Sequence, residues 1–301
     1  MKFIFFSLLI ITGTSSQCST IDKLSTTDEV VAFVKANYNQ IQGTEAEKFK
    51  IKTTAVLSRE LECQGIFKKW DIHNWEKADL NNDGLTDLLL IAEWYGPQPI
   101  VILDRGDETY DFIKLKNTPF EPCELFKPIN IEGKNHLKSY GRKSSRSGLT
   151  AGIPNYQIDT LSFFKNTLVR YNPKPKNEAI SSIKVTTTQC FGLCPVFSLE
   201  LTADEMAQFN GMQNTPVIGK HSFKLQQDTF KDLEDLLNYM DVEHLKSNYA
   251  VGWTDDQTAT LTVTFADGRE KTIVDYGMQG TPGLKAVFRK MIGLVQSMNA
   301  E

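Results

Sequence analysis

The strictest pattern in the sequence is the alternation of residues 258–265, where apolar residues occupy every second position and threonine fills the other four. Successive side chains of a strand point to opposite faces, so this pattern predicts a strand with one buried and one polar face. Asp267-Gly268 follows and is typical of a hairpin turn, because both residues tolerate positive φ. The chain must therefore build a half-buried antiparallel sheet that other elements cover.

Residues 179–301 supply the elements for such a fold. Alternating apolar residues predict further strands at 183–187 and 197–201. Apolar residues at helical spacing predict one helix over 230–240 and another that begins at Thr281-Pro282, with proline in its first turn. The expected fold is α+β, a mostly antiparallel sheet packed by two helices.

The chain of 301 residues is long enough for two domains. Residues 171–178 begin with Tyr-Asn-Pro-Lys-Pro-Lys-Asn, and two prolines in this run oppose both helix and sheet. We predict a linker there, between a β-rich domain at 26–170 and an α+β domain at 179–301. The first domain is also expected to be α+β, with a mostly antiparallel sheet and one or two helices.

Within the first domain, Thr26 and Glu29 have capping-box spacing and predict the start of a helix. Residues 49–57 and 67–75 are rich in β-branched or aromatic residues and are interpreted as strands. The polar, basic stretch 134–146 is interpreted as a solvated loop, with a patch for an anionic surface as the alternative.

The first 17 residues have the three parts of a secretory signal peptide: a basic start, an apolar run and a small polar end. Export to the periplasm, outer membrane or extracellular space is therefore expected. Cys18 stands where a lipoprotein signal places its lipidated cysteine, and residues 18–25 would then form a tether. The alternative is ordinary cleavage near Ser16 or Gln17, which leaves a soluble protein. Membrane contact is expected only through this lipid.

Cysteine parity bears on the same question, because the chain has five cysteines. If Cys18 carries lipid, the other four can pair in an oxidising compartment. The candidates are Cys63 with Cys123, and Cys190 with Cys194. For Cys190-Phe-Gly-Leu-Cys194 the alternatives are two buried thiols, a redox pair, or a zinc site completed by His221 and His244.

An acidic loop at residues 79–87 has the ligand spacing of a calcium site. Hard cations take six to eight oxygen ligands, and Gly84 allows the sharp turn that wraps them around one ion. Magnesium fits a loop of this size less well, and a polar turn without metal is the alternative. The expected ligands are Asp79, Asn81, Asp83, the carbonyl of Leu85, and Asp87.

This loop is not an EF-hand, because Leu90 occupies the position of the bidentate glutamate and a strand-like run follows. Residues 70–115 instead resemble one FG-GAP or VCBS-type repeat, a resemblance carried by the run from Ala78 to Leu88. The resemblance implies a calcium loop between strands. Only one copy occurs, so the calcium is expected to be structural and a propeller is not indicated.

Residues 183–297 are similar to an uncharacterised bacterial domain found in exported proteins. The resemblance rests on the Cys-Phe-Gly-x-Cys-Pro signature, Trp253-Thr254-Asp255 and the proline-led last helix. The chain departs from the family's Asp-Gly turn at Ala203-Asp204-Glu205. The resemblance implies class and compartment and no activity.

The net charge of −4 and the sequence pI of about 5.7 argue against a nucleic-acid partner, which needs a basic surface. The four histidines stand in no metal-ligand motif, and no phosphate loop or nucleophile elbow occurs. We therefore expect an exported cell-envelope protein that binds a protein or glycan ligand without catalysis. The alternatives are a thiol–disulfide protein using Cys190 and Cys194, and a hydrolase with a scattered site.

Overall fold

The structure is a computed structural model that describes residues 19–39, 44–93, 96–116, 123–142 and 156–298. Its helices are α1 (Thr20–Lys23), α2 (Thr27–Asn37), α3 (Thr44–Lys48), α4 (Thr54–Glu60), α5 (Ile66–Lys69), α6 (Thr229–Tyr239) and α7 (Pro282–Gln296). Its strands are β1 (Trp75–Ala78), β2 (Asp87–Glu93), β3 (Pro97–Asp104), β4 (Tyr110–Lys114), β5 (Leu125–Ile131), β6 (Lys134–Arg142), β7 (Tyr156–Phe164), β8 (Thr167–Arg170), β9 (Ile180–Thr187), β10 (Val196–Thr202), β11 (Met206–Gln213), β12 (Gly219–Lys224), β13 (Asn248–Ala250), β14 (Thr258–Phe265) and β15 (Glu270–Tyr276).

The strands form three sheets. Sheet 1 has the order β1-β2-β3-β4 and sheet 2 the order β5-β6-β7-β8. Sheet 3 has seven strands in the order β12-β11-β10-β9-β14-β15-β13. All neighbours are antiparallel except β13 and β15, which are parallel. The predicted α+β class with mostly antiparallel sheets is confirmed.

Sheet 1 lies in the middle of a layered arrangement, because apolar side chains cover both faces of β2 and β3. One face packs against α1 and α2, through Leu88, Leu90, Ile100, Ile102, Ile21, Val30 and Phe33. The other face packs against sheet 2, through Leu89, Val101, Leu103, Phe126, Leu137 and Leu161. The near-continuous apolar run of β2 follows from this burial on both faces.

Sheet 3 is covered on one face by α6 and α7. Alternate residues of β14 are buried, as the sequence pattern predicts, and its threonines stay partly exposed on the other face. The hairpin turn after β14 forms with Gly268 at φ +87°. α7 begins at Pro282, and the Thr281 side chain accepts a hydrogen bond from the backbone N–H of Leu284.

Two predicted strands of the first domain are wrong. Residues 49–57 give one isolated bridge at Lys50 and then α4, because the Thr53 hydroxyl accepts a hydrogen bond from the N–H of Val56 and caps a helix. Residues 67–75 include α5, whose Phe67 is buried beside the half-cystine Cys63. Tertiary packing of these aromatic residues overrides their strand propensity.

The predicted loop at 134–146 is also wrong in its described part. Residues 134–142 form β6, which pairs with β5 on one side and β7 on the other. A central strand satisfies its backbone groups by pairing, so its polar side chains do not prevent strand formation. Residues 143–146 lie outside the described residues.

The predicted tether after Cys18 is folded where the structure describes it. Ser19 caps α1, Ile21 is fully buried, and Leu24 is 8% exposed in the core on sheet 1. The Ser19 hydroxyl also donates a hydrogen bond to Asp104 at the end of β3. The signal peptide and Cys18 lie outside the described residues, so both stay predictions.

Sheet 2 and sheet 3 are joined by contacts around β8. Val169 is fully buried in the core of sheet 3, and Phe164 stacks on Tyr239 of α6 with ring centroids 4.4 Å apart. The segment 171–178 lies along α6, where Asn238 exchanges two hydrogen bonds with the backbone of Glu178. The domain boundary at this segment stays a prediction.

None of the helices in the described part of the chain is both long enough and apolar enough to span a bilayer.

Candidate functional site

The acidic loop connects β1 to β2 and is held mainly by its own carboxylates. Asp79 accepts hydrogen bonds from the backbone N–H groups of Asp83 at 3.0 Å and Gly84 at 2.9 Å. Asp83 accepts one from Leu85 N–H at 2.9 Å. Gly84 adopts φ +91°, a value at which a side chain is strained. The turn that the sequence predicts therefore forms.

Asp87, the last expected ligand, is fully buried at the start of β2. It accepts hydrogen bonds from the backbone N–H groups of Leu80 at 2.7 Å, Asn81 at 3.3 Å and Asp104 at 2.9 Å. Burial raises the pKa of Asp87 to about 7, although these three N–H donors oppose the rise and the charge of Asp83 adds to it. Asp87 thus fixes the loop to β3.

The loop also contacts sheet 2. Asn82 and Asn135 exchange two hydrogen bonds, of 2.7 and 3.0 Å, and the Asn135 amide donates to the carbonyl of Asp79 at 2.9 Å. Asn81 donates to Asn166 in the β7–β8 turn. The hydrogen bonds of the acidic loop therefore connect sheet 1 to sheet 2.

The donor set fits a hard cation, because Asp79, Asn81, Asp83, the Leu85 carbonyl and Asp87 all offer oxygen. Within the described ranges, however, no group of three or more His, Cys, Asp or Glu side chains converges as a metal-ion site. Each carboxylate oxygen that accepts one N–H keeps a further lone pair for a cation, whereas Asp87 Oδ2 already accepts two N–H groups. Binding would therefore require the loop carboxylates to rearrange from the hydrogen-bonded arrangement described above.

Both cysteine pairs expected from the sequence form disulfides. Cys63 and Cys123 have Cα atoms 5.3 Å apart and close a long loop across the first part of the chain. Cys190 and Cys194 have Cα atoms 5.8 Å apart and close the short connection between β9 and β10. Residues 188–195 contain no Lys, Arg or His, and a strand follows them. The usual groups that activate a redox cysteine are thus not part of this loop.

The Cys190–Cys194 loop presents apolar side chains to solvent. Phe191 is 90% exposed and Leu193 is 88% exposed. Ile218 at 62% and Trp253 at 43% lie on the two neighbouring connections of sheet 3. We call Phe191, Leu193, Ile218 and Trp253 the tip surface. Large apolar residues exposed together mark interaction sites more often than scattered ones do.

Hydrogen bonds hold the three loops of the tip surface beside one another. Phe191 N–H donates to the Asp255 carbonyl at 3.1 Å, and Asn214 donates to the Cys194 carbonyl at 3.2 Å. The buried Gln257 amide donates to the carbonyls of Thr188 and Pro195, both at 2.8 Å. These hydrogen bonds therefore fix the arrangement of the three loops in the unbound chain.

Two carboxylates border Trp253 on the tip surface. Asp256 accepts a hydrogen bond from the Trp253 indole N–H at 2.9 Å, and Asp255 is exposed. In the described part of the chain neither carboxylate forms an ion pair. Residues 188–195 and 212–219 carry no charge. The tip surface is therefore apolar with two negative charges beside Trp253, and the exposed Lys220 follows Ile218 by two residues.

The histidines do not build an exposed site. His136 lies 2.7 Å from the Ser162 hydroxyl, but both side chains are buried, and burial lowers the pKa of His136. His221 contacts the Ile218 carbonyl, and His244 contacts Asp241. Two of the alternatives for Cys190 and Cys194, buried thiols and a zinc site completed by His221 and His244, are wrong, because the two cysteines form a disulfide. Thiol–disulfide exchange and hydrolysis stay predictions.

The sequence singles out the acidic loop and the cysteine loop but not the tip surface. Trp253 is marked there only by a family resemblance, and Ile218 by no pattern at all. In a sequence, an exposed apolar residue of a short connection looks the same as a buried one. No sequence signal therefore marks Phe191, Leu193, Ile218 or Trp253 as exposed.

Comparison with known families gives a match over residues 181–295, to the family described as Domain of unknown function (DUF6438). The match covers the cysteine loop and most of the residues of sheet 3, α6 and α7. Neither curated proteins nor solved structures give a significant match.

Proposed function

We propose that the chain is an exported cell-envelope protein that binds a partner at the tip surface, without catalysis, and carries one structural calcium ion in its acidic loop. The observation that carries this proposal is the exposure of Phe191 and Leu193 on a loop closed by a disulfide. A buried apolar side chain is worth roughly 1.5–3 kcal/mol over an exposed one, so such residues favour a covered state.

Rigidity supports the binding role. The disulfide and the hydrogen bonds of Gln257 fix the tip loops before binding. A preformed surface loses less conformational entropy when it binds a partner, so the free-energy cost of binding is smaller.

The calcium part of the proposal is supported by the position of Asp87. Its carboxyl is buried close to the negative charge of Asp83, an arrangement that a cation would stabilise. An ion there would stabilise the acidic loop and, with it, the hydrogen bonds that connect sheet 1 to sheet 2.

Export is supported by the two disulfides, which persist mainly in oxidising compartments. A lipid on Cys18 would place the folded chain directly at the membrane, since α1 begins at Thr20.

Calcium titration of the purified chain tests the metal. We expect calcium to raise the melting temperature of the wild type, because an ion at 100 times its Kd stabilises by about 2.7 kcal/mol. Asp83→Ala should lose this shift, and Asp107→Asn, in the exposed β3–β4 turn, should keep it. If calcium neither binds the wild type nor moves its melting temperature, the calcium proposal is wrong.

The binding role is tested with Phe191→Ser/Leu193→Ser, compared with Ile158→Ser, a 54% exposed apolar residue on β7. Pull-downs from the envelope fraction should recover a partner with the wild type and with Ile158→Ser, and lose it with the double variant. Equal recovery by all three chains would contradict the proposal.

A further inference from the structure

We propose that the partner of the tip surface is a protein segment that carries Lys or Arg beside apolar residues. This inference rests on the proposed binding role and names the chemistry of the partner. It is carried by the two carboxylates that border the tip surface and by the composition of its loops.

The charge of the tip loops favours a cationic partner. Asp255 and Asp256 form no ion pair in the described part of the chain, and residues 188–195 and 212–219 add no charge of either sign. The third loop, residues 251–257, is charged only at Asp255 and Asp256, so the net charge of the three loops is negative. A partner with a cationic group complements this edge and is attracted over about 8 Å at physiological ionic strength.

The aromatic residues of the tip surface favour the same kind of partner. Trp253 and Phe191 lie on connections joined by the hydrogen bond from Phe191 N–H to the Asp255 carbonyl. Tryptophan and phenylalanine faces attract ammonium and guanidinium groups, and exposed pairs are worth about 0.5–1 kcal/mol. A Lys or Arg side chain could thus contact an aromatic ring and a carboxylate together.

Other occupants meet penalties at this surface. An anionic lipid surface would be repelled by Asp255 and Asp256. A second copy of this chain, docked by the same surface, would bring four carboxylates together. A glycan is rich in hydroxyls, and it would leave the aliphatic side chains of Leu193 and Ile218 without a matching apolar partner. A basic, apolar peptide segment meets none of these penalties.

Asp255 is the carboxylate whose charge can be removed without a change of shape. Asp256 holds the Trp253 indole and also accepts from Gln257 N–H, so its replacement would disturb the surface. Asp255 accepts only from the neighbouring Thr254 hydroxyl and has φ +70°, a conformation that asparagine tolerates. Asp255→Asn therefore removes charge and keeps shape.

The experiment selects random dodecapeptides displayed on phage against the immobilised full chain in calcium. Peptides retained by the wild type and by Ile158→Ser, but lost on Phe191→Ser/Leu193→Ser, are sequenced. We expect them to carry a net positive charge and to place Lys or Arg next to Leu, Phe or Trp. Circular dichroism melts confirm that the variants remain folded.

The best peptide is then synthesised with a fluorescent label and its Kd measured by anisotropy. We expect Asp255→Asn to raise the Kd by roughly 3- to 10-fold, which corresponds to about 0.7–1.4 kcal/mol. Asp107→Asn should leave the Kd unchanged, and the effect of Asp255→Asn should shrink at high salt.

Neutral or acidic selected peptides would overturn the inference while the binding role stands. If no peptide depends on Phe191 and Leu193, the segment inference fails, and the envelope pull-down still tests the binding role separately. Binding to phosphatidylglycerol vesicles, or dimerisation in sedimentation equilibrium, that is lost in the double variant would identify a membrane or a second copy as the occupant and overturn the inference.

Discussion

At the scale of single residues, buried carboxyls fix the connections of the fold. Asp275 on β15 is fully buried and accepts hydrogen bonds from Gln279 N–H at 3.2 Å and Gly280 N–H at 2.8 Å. A Cβ at Gly280 would lie 2.7 Å from the Asp275 carboxyl, so glycine is needed for this close approach. Burial raises the pKa of Asp275 to about 6, against the effect of both N–H donors.

The raised pKa of Asp275 predicts how the free energy of unfolding depends on pH. In the unfolded chain this carboxyl loses its proton near pH 3.8, and in the folded chain near pH 6. Between these values the folded state binds more protons, so the free energy of unfolding falls as pH rises from about 4 to 6, by about 3 kcal/mol. Asp275→Asn should remove this fall, as measured by urea unfolding across that range.

Asp107→Asn is the control, because its side chain is exposed in a turn. Other groups titrate as well, so the quantity of interest is the difference between variant and wild type. If the difference in free energy of unfolding between Asp275→Asn and the wild type stays constant from pH 4 to 7, the raised pKa of Asp275 is contradicted.

At the scale of elements, the loop that carries Ile218 depends on Gly211 of β11. A Cβ at Gly211 would lie 2.2 Å from the Val217 carbonyl and 2.6 Å from the Thr215 hydroxyl. The β11–β12 connection therefore folds back against β11 where no side chain intervenes. Gly293 lies on the exposed side of α7, and a Cβ placed there would meet nothing within 4 Å.

These two glycines give opposite predictions for substitution by alanine. Gly211→Ala should destabilise the chain by roughly 1–3 kcal/mol, because the Cβ forces the 214–218 loop away from β11. Gly293→Ala should stabilise it by roughly 0.5–1 kcal/mol through helix propensity. Urea unfolding of both variants measures these changes, and an equal sign for the two would contradict the packing described for β11.

At the scale of the whole molecule, the β7–β8 hairpin joins sheet 2 to the core of sheet 3. Val169 is buried in the core of sheet 3, Phe164 stacks on Tyr239, and Lys165 forms ion pairs with Asp232 and Asp235 of α6. The ion pairs are largely exposed and contribute little. The apolar contacts therefore carry the coupling.

We expect one cooperative transition in calorimetry of the wild type, because β8 links the two cores. Val169→Ser/Phe164→Ser should separate it into two transitions, since it removes apolar contacts between the cores. Lys165→Ala, which removes only the exposed ion pairs, should keep one transition. Two transitions in the wild type would show that the cores unfold independently.

The sequence by itself determined the class of the fold and much of sheet 3. The alternation of residues 258–265 and the caps at Thr26 and Thr281 are local patterns, and local geometry decides their outcome. The same holds for the turn at the acidic loop, whose spacing of Asp, Asn and Gly is visible in the sequence. These features depend on few distant contacts.

Tertiary structure alone decided the rest. Residues 49–57 and 67–75 carry strand-forming residues, yet burial of Leu57 and Phe67 in one core with Cys63 accompanies helices there. The pairing of Cys63 with Cys123 depends on a distance between residues 60 positions apart. Burial of Asp87 and exposure of Phe191 also follow from what surrounds each residue, because a side chain's type does not say which neighbours will cover it.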